Sequence, residues 1–240
     1  MNLEKKIQKS RLGEAYAGIH SDADRQAVLR AYDTLLKEND LSNKMLARHM
    51  AGSILPSVAM YRGLQEQGWK PVEVRRLIRS SVLNASKPMA KFFQGLGKLP
   101  FFFPLFRIMC PASTKAGYGP EGWQFEWKRN DAYAIEWDCH ACLYANVFRR
   151  YGVPELTPIF CESDDVMYGS IPGARWGRTK TIGRGDALCN FRFINTRSTP
   201  PGVTGCREKS AGRGNTHRVY TDAVKYTADR GKENQDEKQQ

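Results

Sequence analysis

Long apolar runs are what this 240-residue chain lacks most clearly. Its most apolar stretch, Leu99 to Phe106, is eight residues and holds two prolines. A bilayer-spanning helix needs about 20 apolar residues, so no membrane span is expected. The first residues, Met1 to Gln8, carry Glu4, Lys5 and Lys6 and no apolar core of the kind a secretory leader requires. A cytoplasmic location is the expectation, with the six cysteines present as thiols, ligands or nucleophiles and not as disulfides. Phosphate-cradling P-loops, HExxH pairs and Ser-centred elbows are missing, and Gly183-Arg184-Gly185 is too short for a dinucleotide fingerprint. Nothing therefore points to ATP, nicotinamide or flavin. Zinc-finger spacing, RNA-recognition motifs and long arginine tracts are absent as well. The net charge of +12 is interleaved with acids, and its densest cluster, Arg75, Arg76 and Arg79, reads as a solvated helix face. No nucleic-acid partner is expected.

What is present is a folded pattern, with 41% apolar residues to build a core. Residues 1 to about 97 read as helical. Leu29, Tyr32 and Leu36 fall at three- and four-residue steps behind Asp22 and Asp24, acids suited to a first turn. Met45 to Tyr61 predicts a second helix kinked at Pro56. Gly68 reads as a stop and Pro71 as the next start, with Val74, Leu77, Ile78 and Val82 as the buried stripe. A separate amphipathic piece, Met89 to Leu96, is expected to end at Gly97. The aromatic patch Phe101–Phe106 is taken as packing between the two halves. Beyond Gly117 the period changes to two. Trp123, Phe125 and Trp127 alternate with polar residues, as do Tyr133, Ile135 and Trp137, with a hairpin turn expected at Lys128–Asp131. A helix follows from Cys142 to Tyr151, then extended stretches at 174–182 and 188–194. The fold class is thus α+β: a helical N-terminal half (1–110) packed on a C-terminal antiparallel sheet with one or two helices (117–196). Residues 197–240 lose all apolar periodicity and read as a disordered tail, so Cys206 and His217 are discounted.

Soft nucleophiles and charges crowd between Cys139 and Phe193, where packing alone would not need them. Cys142-x-Tyr144-Ala145 leads to Gly152-x-Pro154-Glu155-Leu156 and then to Cys161 with Asp164. Arg178-Thr179-x-Thr181-Ile182, Gly185 and Cys189-Asn190-Phe191-Arg192-Phe193 follow. In this order and spacing the motifs resemble the L-2-amino-thiazoline-4-carboxylic acid hydrolase family over about 55 residues. The family pattern has an aspartate after the last cysteine, where this chain has Asn190, and its chains tend to end soon after that motif.

The resemblance implies a small-molecule substrate and a hydrolytic reaction. Water adds at the amidine carbon of a sulfur- and nitrogen-containing ring, the ring thiolate is expelled, and an N-carbamoyl amino acid results. Such chemistry needs a nucleophile or activated water, an acid for the amidinium, and a cation for the substrate carboxylate. Cys142, near a helix N-terminus, is the candidate nucleophile, with His140 two residues away as its proton acceptor. Asp164 would hold the amidinium or act as base. Arg178 and Arg192, with Thr179 beside the first, suit a carboxylate clamp. The same sulfurs have a second use: Cys142, Cys161 and Cys189 could share a zinc ion, with His140, Cys139 or Asp164 completing four ligands. Buried inert thiols are the third. A functional alternative is a non-catalytic small-ligand or metal-binding domain, since Gly-x-x-x-Cys-x-Phe is also loosely similar to vinyl-reductase-type sensor modules. The oligomeric state is not legible.

Overall fold

Two short helices, α1 (Leu3–Gln8) and α2 (Gly13–Ala17), precede α3 (Asp22–Glu38), which opens as its acids predict. Ser21 accepts the Asp24 N–H at 3.3 Å, and Val28, Tyr32 and Leu35 are buried along one face. These coordinates are a computed structural model that describes residues 2–198, so nearly all of the expected tail, with Cys206 and His217, lies outside the described residues. The kink at Pro56 takes the form of a π-turn. Helix α4 (Lys44–His49) widens through Met50–Ile54 before α5 (Leu55–Glu66), because Pro56 has no N–H to return to the preceding turn. The Tyr32 hydroxyl donates to the Ala51 carbonyl within that turn at 2.8 Å. Gly68, at φ +87°, stops α5.

Helix α6 (Pro71–Gly97) begins where Glu73 accepts the Lys70 N–H. Val74, Ile78 and Val82 are buried, with Leu77 beside them. Met89–Leu96 is not a separate helix. One 27-residue rod, about 40 Å long, runs through Pro88. Burial of Val82, Ser86 and Ala90 at four-residue steps outweighs the roughly 3 kcal/mol that an internal proline costs. The aromatic patch packs on the sheet, as expected, and is helical for most of its length. It opens α7 (Phe102–Gly117), with Pro104 in the first turn, where no N–H is needed.

Strands β1 (Trp123–Asn130), β2 (Ala134–Cys142), β3 (Ala174–Gly177) and β4 (Cys189–Asn195) form one antiparallel sheet in the order β1-β2-β4-β3. The β1–β2 turn lies later than expected. Lys128–Asn130 belong to β1, and Asp131 Oδ1 accepts from Tyr133 and Ala134 N–H at 2.7 and 3.0 Å. Between β2 and β3 come α8 (Leu143–Arg150) and α9 (Thr157–Tyr168), which join α1, α2, α3, α5 and α6 in a helical core. A second core packs Phe102, Phe103 and Phe106 of α7 on Ile135, Trp137 and Phe193 of the sheet. The architecture is α+β, a helical N-terminal half with a four-stranded antiparallel sheet. Among the described residues no helix is long and apolar enough to cross a membrane.

Candidate active site

The inner face of the sheet follows from its period of two and from one break in it. In β4, Cys189, Phe191 and Phe193 share a face, opposite Cys139, Trp137 and Ile135 of β2. In β2 the alternation slips at His140. Phe125 pairs with Cys139, but Gln124 pairs with Ala141 and Trp123 with Cys142, so one residue is extra. This bulge resets the phase and turns Cys142 to the same side as Cys139. His140 points the other way, Nε2 3.1 Å from Glu126 on the exposed face. All of these inner residues but Ile135, with Met89 and Phe93 of α6, Phe106 and Cys110 of α7, and α9 opposite, line a cavity of about 360 Å³.

Helix α9 supplies the charge. Thr157, Phe160, Cys161, Asp164, Met167 and Tyr168 line the cavity at three- and four-residue steps. Asp164 accepts from Arg178 Nη1 at 2.8 Å, and Arg178 Nη2 donates to Asp165 at 2.9 Å and to the Cys161 carbonyl at 2.6 Å. The guanidinium is 2% exposed and lies 5.5 and 5.6 Å from the Trp176 and Phe191 ring centroids. Burial works against its charge, but Asp164 and Asp165 more than offset that and raise its pKa. Burial pushes Asp164 up to about 6, despite the lowering effect of Arg178.

The thiols are held protonated. Burial raises Cys110 to about 12, Cys142 to about 11 and Cys189 to about 12, and raises Cys139 and Cys161 as well. Cys142 does sit at the N-cap of α8, and the Ala145 and Tyr144 N–H groups favour its thiolate. Desolvation outweighs them. Cys161 and Cys189 serve the loop between β3 and β4: Thr181 Oγ1 donates to the Cys161 sulfur at 3.5 Å and Ile182 N–H to the Cys189 sulfur at 3.2 Å. Gly183 is pressed onto this wall, since a Cβ there would lie 2.7 Å from the Cys161 sulfur and 3.1 Å from Thr157 Cγ2. Gly183→Ala should therefore lose about 1–3 kcal/mol in chemical denaturation through overpacking. A neutral result would mean that the loop yields freely.

Cys142, Asp164, Arg178, Cys161 and Cys189 are thus brought to one cavity, and three other candidates are not. His140 lies on the outer sheet face. Arg192 also points outward, donating to Asp138 at 2.5 Å and to the Trp137 carbonyl at 2.7 Å. Thr179 is tied to Asn190, whose Oδ1 accepts the Thr179 and Lys180 N–H groups at 3.0 and 2.7 Å. Asn190 is therefore a clip between β4 and its neighbouring loop. Of the three sulfurs proposed for zinc, none belongs to a close ligand group. Among the described residues one set of three such ligands has all its atoms within 4.8 Å, namely Glu126, Asp138 and His140 on the outer face. Lys128 and Arg192 already pair with those acids.

Four residues of the site escaped the sequence reading. Tyr118, Tyr144 and Tyr168 line the cavity with pKa values raised by burial, so they are neutral phenols. Arg11, from the turn between α1 and α2, reaches the same cavity. Behind Tyr144 stands His49, Nδ1 3.1 Å from the phenol oxygen and Nε2 2.8 Å from the Gly117 carbonyl, with its pKa lowered by burial. No periodic signal marks Arg11 or His49. Tyr144 stands in the motif Cys142-x-Tyr144 and Tyr168 ends α9, whereas Tyr118, at the end of α7, carries no such mark.

No curated protein and no solved structure matches the chain. A family model described as L-2-amino-thiazoline-4-carboxylic acid hydrolase does, over residues 47–193, a span that holds α9, the loop on the two sulfurs and the sheet up to Phe193 of β4. That match covers more than half of the sequence, and the chain belongs to the L-2-amino-thiazoline-4-carboxylic acid hydrolase family.

Proposed function

We propose that the protein is a hydrolase that opens a small sulfur- and nitrogen-containing ring, an L-2-amino-thiazoline-4-carboxylate-like cyclic amidine or amide, to an N-carbamoyl amino acid. The observation that carries this reading is Asp164: a carboxylate on the cavity wall, fixed by a buried arginine and raised to about 6, in a chain of this family. At neutral pH it is ionised yet only weakly held as an anion, the condition for a general base. One water is consumed. Its oxygen bonds to the ring carbon between nitrogen and sulfur, the carbon–sulfur bond breaks, and its two hydrogens end on the sulfur and the ring nitrogen. Asp164 takes a proton as water attacks and returns it to the departing sulfur, so its own proton count is unchanged over a turnover. The aromatic wall suits a flat cationic ring and keeps bulk water away.

In this scheme Cys142 is a neutral wall group. Its pKa of about 11 leaves too little thiolate at pH 7 for it to lead the attack. Cys142→Ala is expected to retain ring opening within about tenfold, far above the loss from removing a catalytic base. Loss of all turnover with an unchanged melting temperature would restore Cys142 as the nucleophile. The reading as a whole is tested by mass-spectrometric detection of the N-carbamoyl product from 2-aminothiazoline-4-carboxylate. If the substrate is untouched while other small ligands raise the melting temperature, the protein is a binding module.

A further inference from the structure

A carboxylate-bearing substrate needs a cation in the cavity, and the two arginines first suited to that task are already engaged. Arg192 pairs with Asp138 on the outer face, and Arg178 is held by two carboxylates, Asp164 and Asp165, and the Cys161 carbonyl. Among the described residues the charged side chains on the cavity wall are Arg11, Asp164 and Arg178. Asp164 and Asp165 pair with Arg178, which leaves Arg11 as the cation of the wall with no carboxylate ion-pair partner among the described residues. We propose that Arg11 is the anchor for the carboxylate of the substrate, reaching the site from outside the family-matched segment.

Its mounting supports this role. The Arg11 N–H donates to the Gly52 carbonyl at 2.9 Å, and its carbonyl accepts from Ser81 at 2.9 Å, so its backbone is fixed on both sides. Nη2 donates to the buried Ser86 hydroxyl at 2.5 Å, and the guanidinium lies 5.8 Å from the Phe160 ring centroid. A guanidinium has five N–H donors. One goes to Ser86, and among the described residues neither a carboxylate nor any other protein acceptor takes the rest. A cation preorganised in this way, in a largely apolar chamber, loses little freedom on binding an anion and discriminates strongly against a neutral group.

The inference rests on the ring-opening reading, so its test separates binding from turnover. The probes are 2-aminothiazole-4-carboxylate, which is aromatic and not readily opened, and its carboxamide, titrated calorimetrically into the full chain. Wild type should prefer the acid by about 10- to 100-fold, as expected for charge-assisted hydrogen bonds. Arg11→Gln should erase that preference, Arg11→Lys should keep part of it, and Ser86→Ala should weaken acid binding alone by a few-fold. If ring opening itself fails, benzoate and 3-phenylpropionate against their amides put the same question to Arg11 independently. Equal affinity for acid and amide in wild type overturns the proposal. So does a folded Arg11→Gln protein that still prefers the acid. Should Arg11→Gln not fold, the Lys and Ser86→Ala variants decide: an unaltered acid preference in both counts against the anchor.

Discussion

Replacing Asp164 by asparagine should lower kcat by about two to four orders of magnitude, the usual contribution of a positioned general base. The fold should not suffer. The carboxyl pKa is raised, so its ionisation costs the folded state: the penalty is absent below about pH 4, grows as pH rises through 6, and is fully present above. Asparagine removes that penalty, and the melting temperature at pH 8 should be unchanged or higher. In wild type, kcat/KM should climb through an apparent pKa near 6 and then level off. A profile that instead keeps rising above pH 9 would report ionisation of a thiol and transfer the role to sulfur. Carboxylate rescue by Asp164→Glu at a fraction of the wild-type rate would distinguish a proton carrier from a packing residue.

The second large effect belongs to Arg178. Arg178→Met leaves Asp164 and Asp165 without their common cation, Asp165 keeping the Trp176 indole N–H. Breaking a buried pair in this way costs about 3–5 kcal/mol, or a melting-temperature fall of at least about 6 °C for a fold of this size. The guanidinium also lowers the pKa of Asp164 through its charge and hydrogen bond. Its loss should therefore move the acid limb of the pH profile upward. A variant of native stability with an unshifted limb would show that the Arg178–Asp164 contact has neither role. Arg178→Lys should fall between the two, since an ammonium cannot serve Asp164, Asp165 and the Cys161 carbonyl in one plane.

Local rules made much of the fold readable. The α3 and α6 stripes, the stop at Gly68, the proline at the head of α6, the alternation in β1 and β2 and the extended stretch that becomes β4 each depend on near neighbours in sequence. What was missed depends on something else. The start of α7 is apolar on every side and holds Pro104, so no period shows, and only packing on Phe193 and Trp137 selects a helix there. Helix α9 goes unassigned in the sequence, where no element is expected between Tyr151 and residue 174, although Pro158 opens a regular first turn. For the site, order along the chain was enough to collect Cys142, Asp164 and Arg178. It could not show which way β2 faces after His140, because a bulge is a property of two strands and not of one. Arg11 is further still from local inference. Nothing in Ser10-Arg11-Leu12 differs from a surface turn until α6 and Gly52 are folded against it.

The aromatic wall also changes how the molecule can be watched. Trp123 and Trp137, two of its five tryptophans, face the chamber. Indole emission follows the polarity and hydration at the ring, so the chamber carries its own optical reporter. Any occupant that displaces water from those two rings announces itself in the light the protein emits, without a label and without a bond being broken.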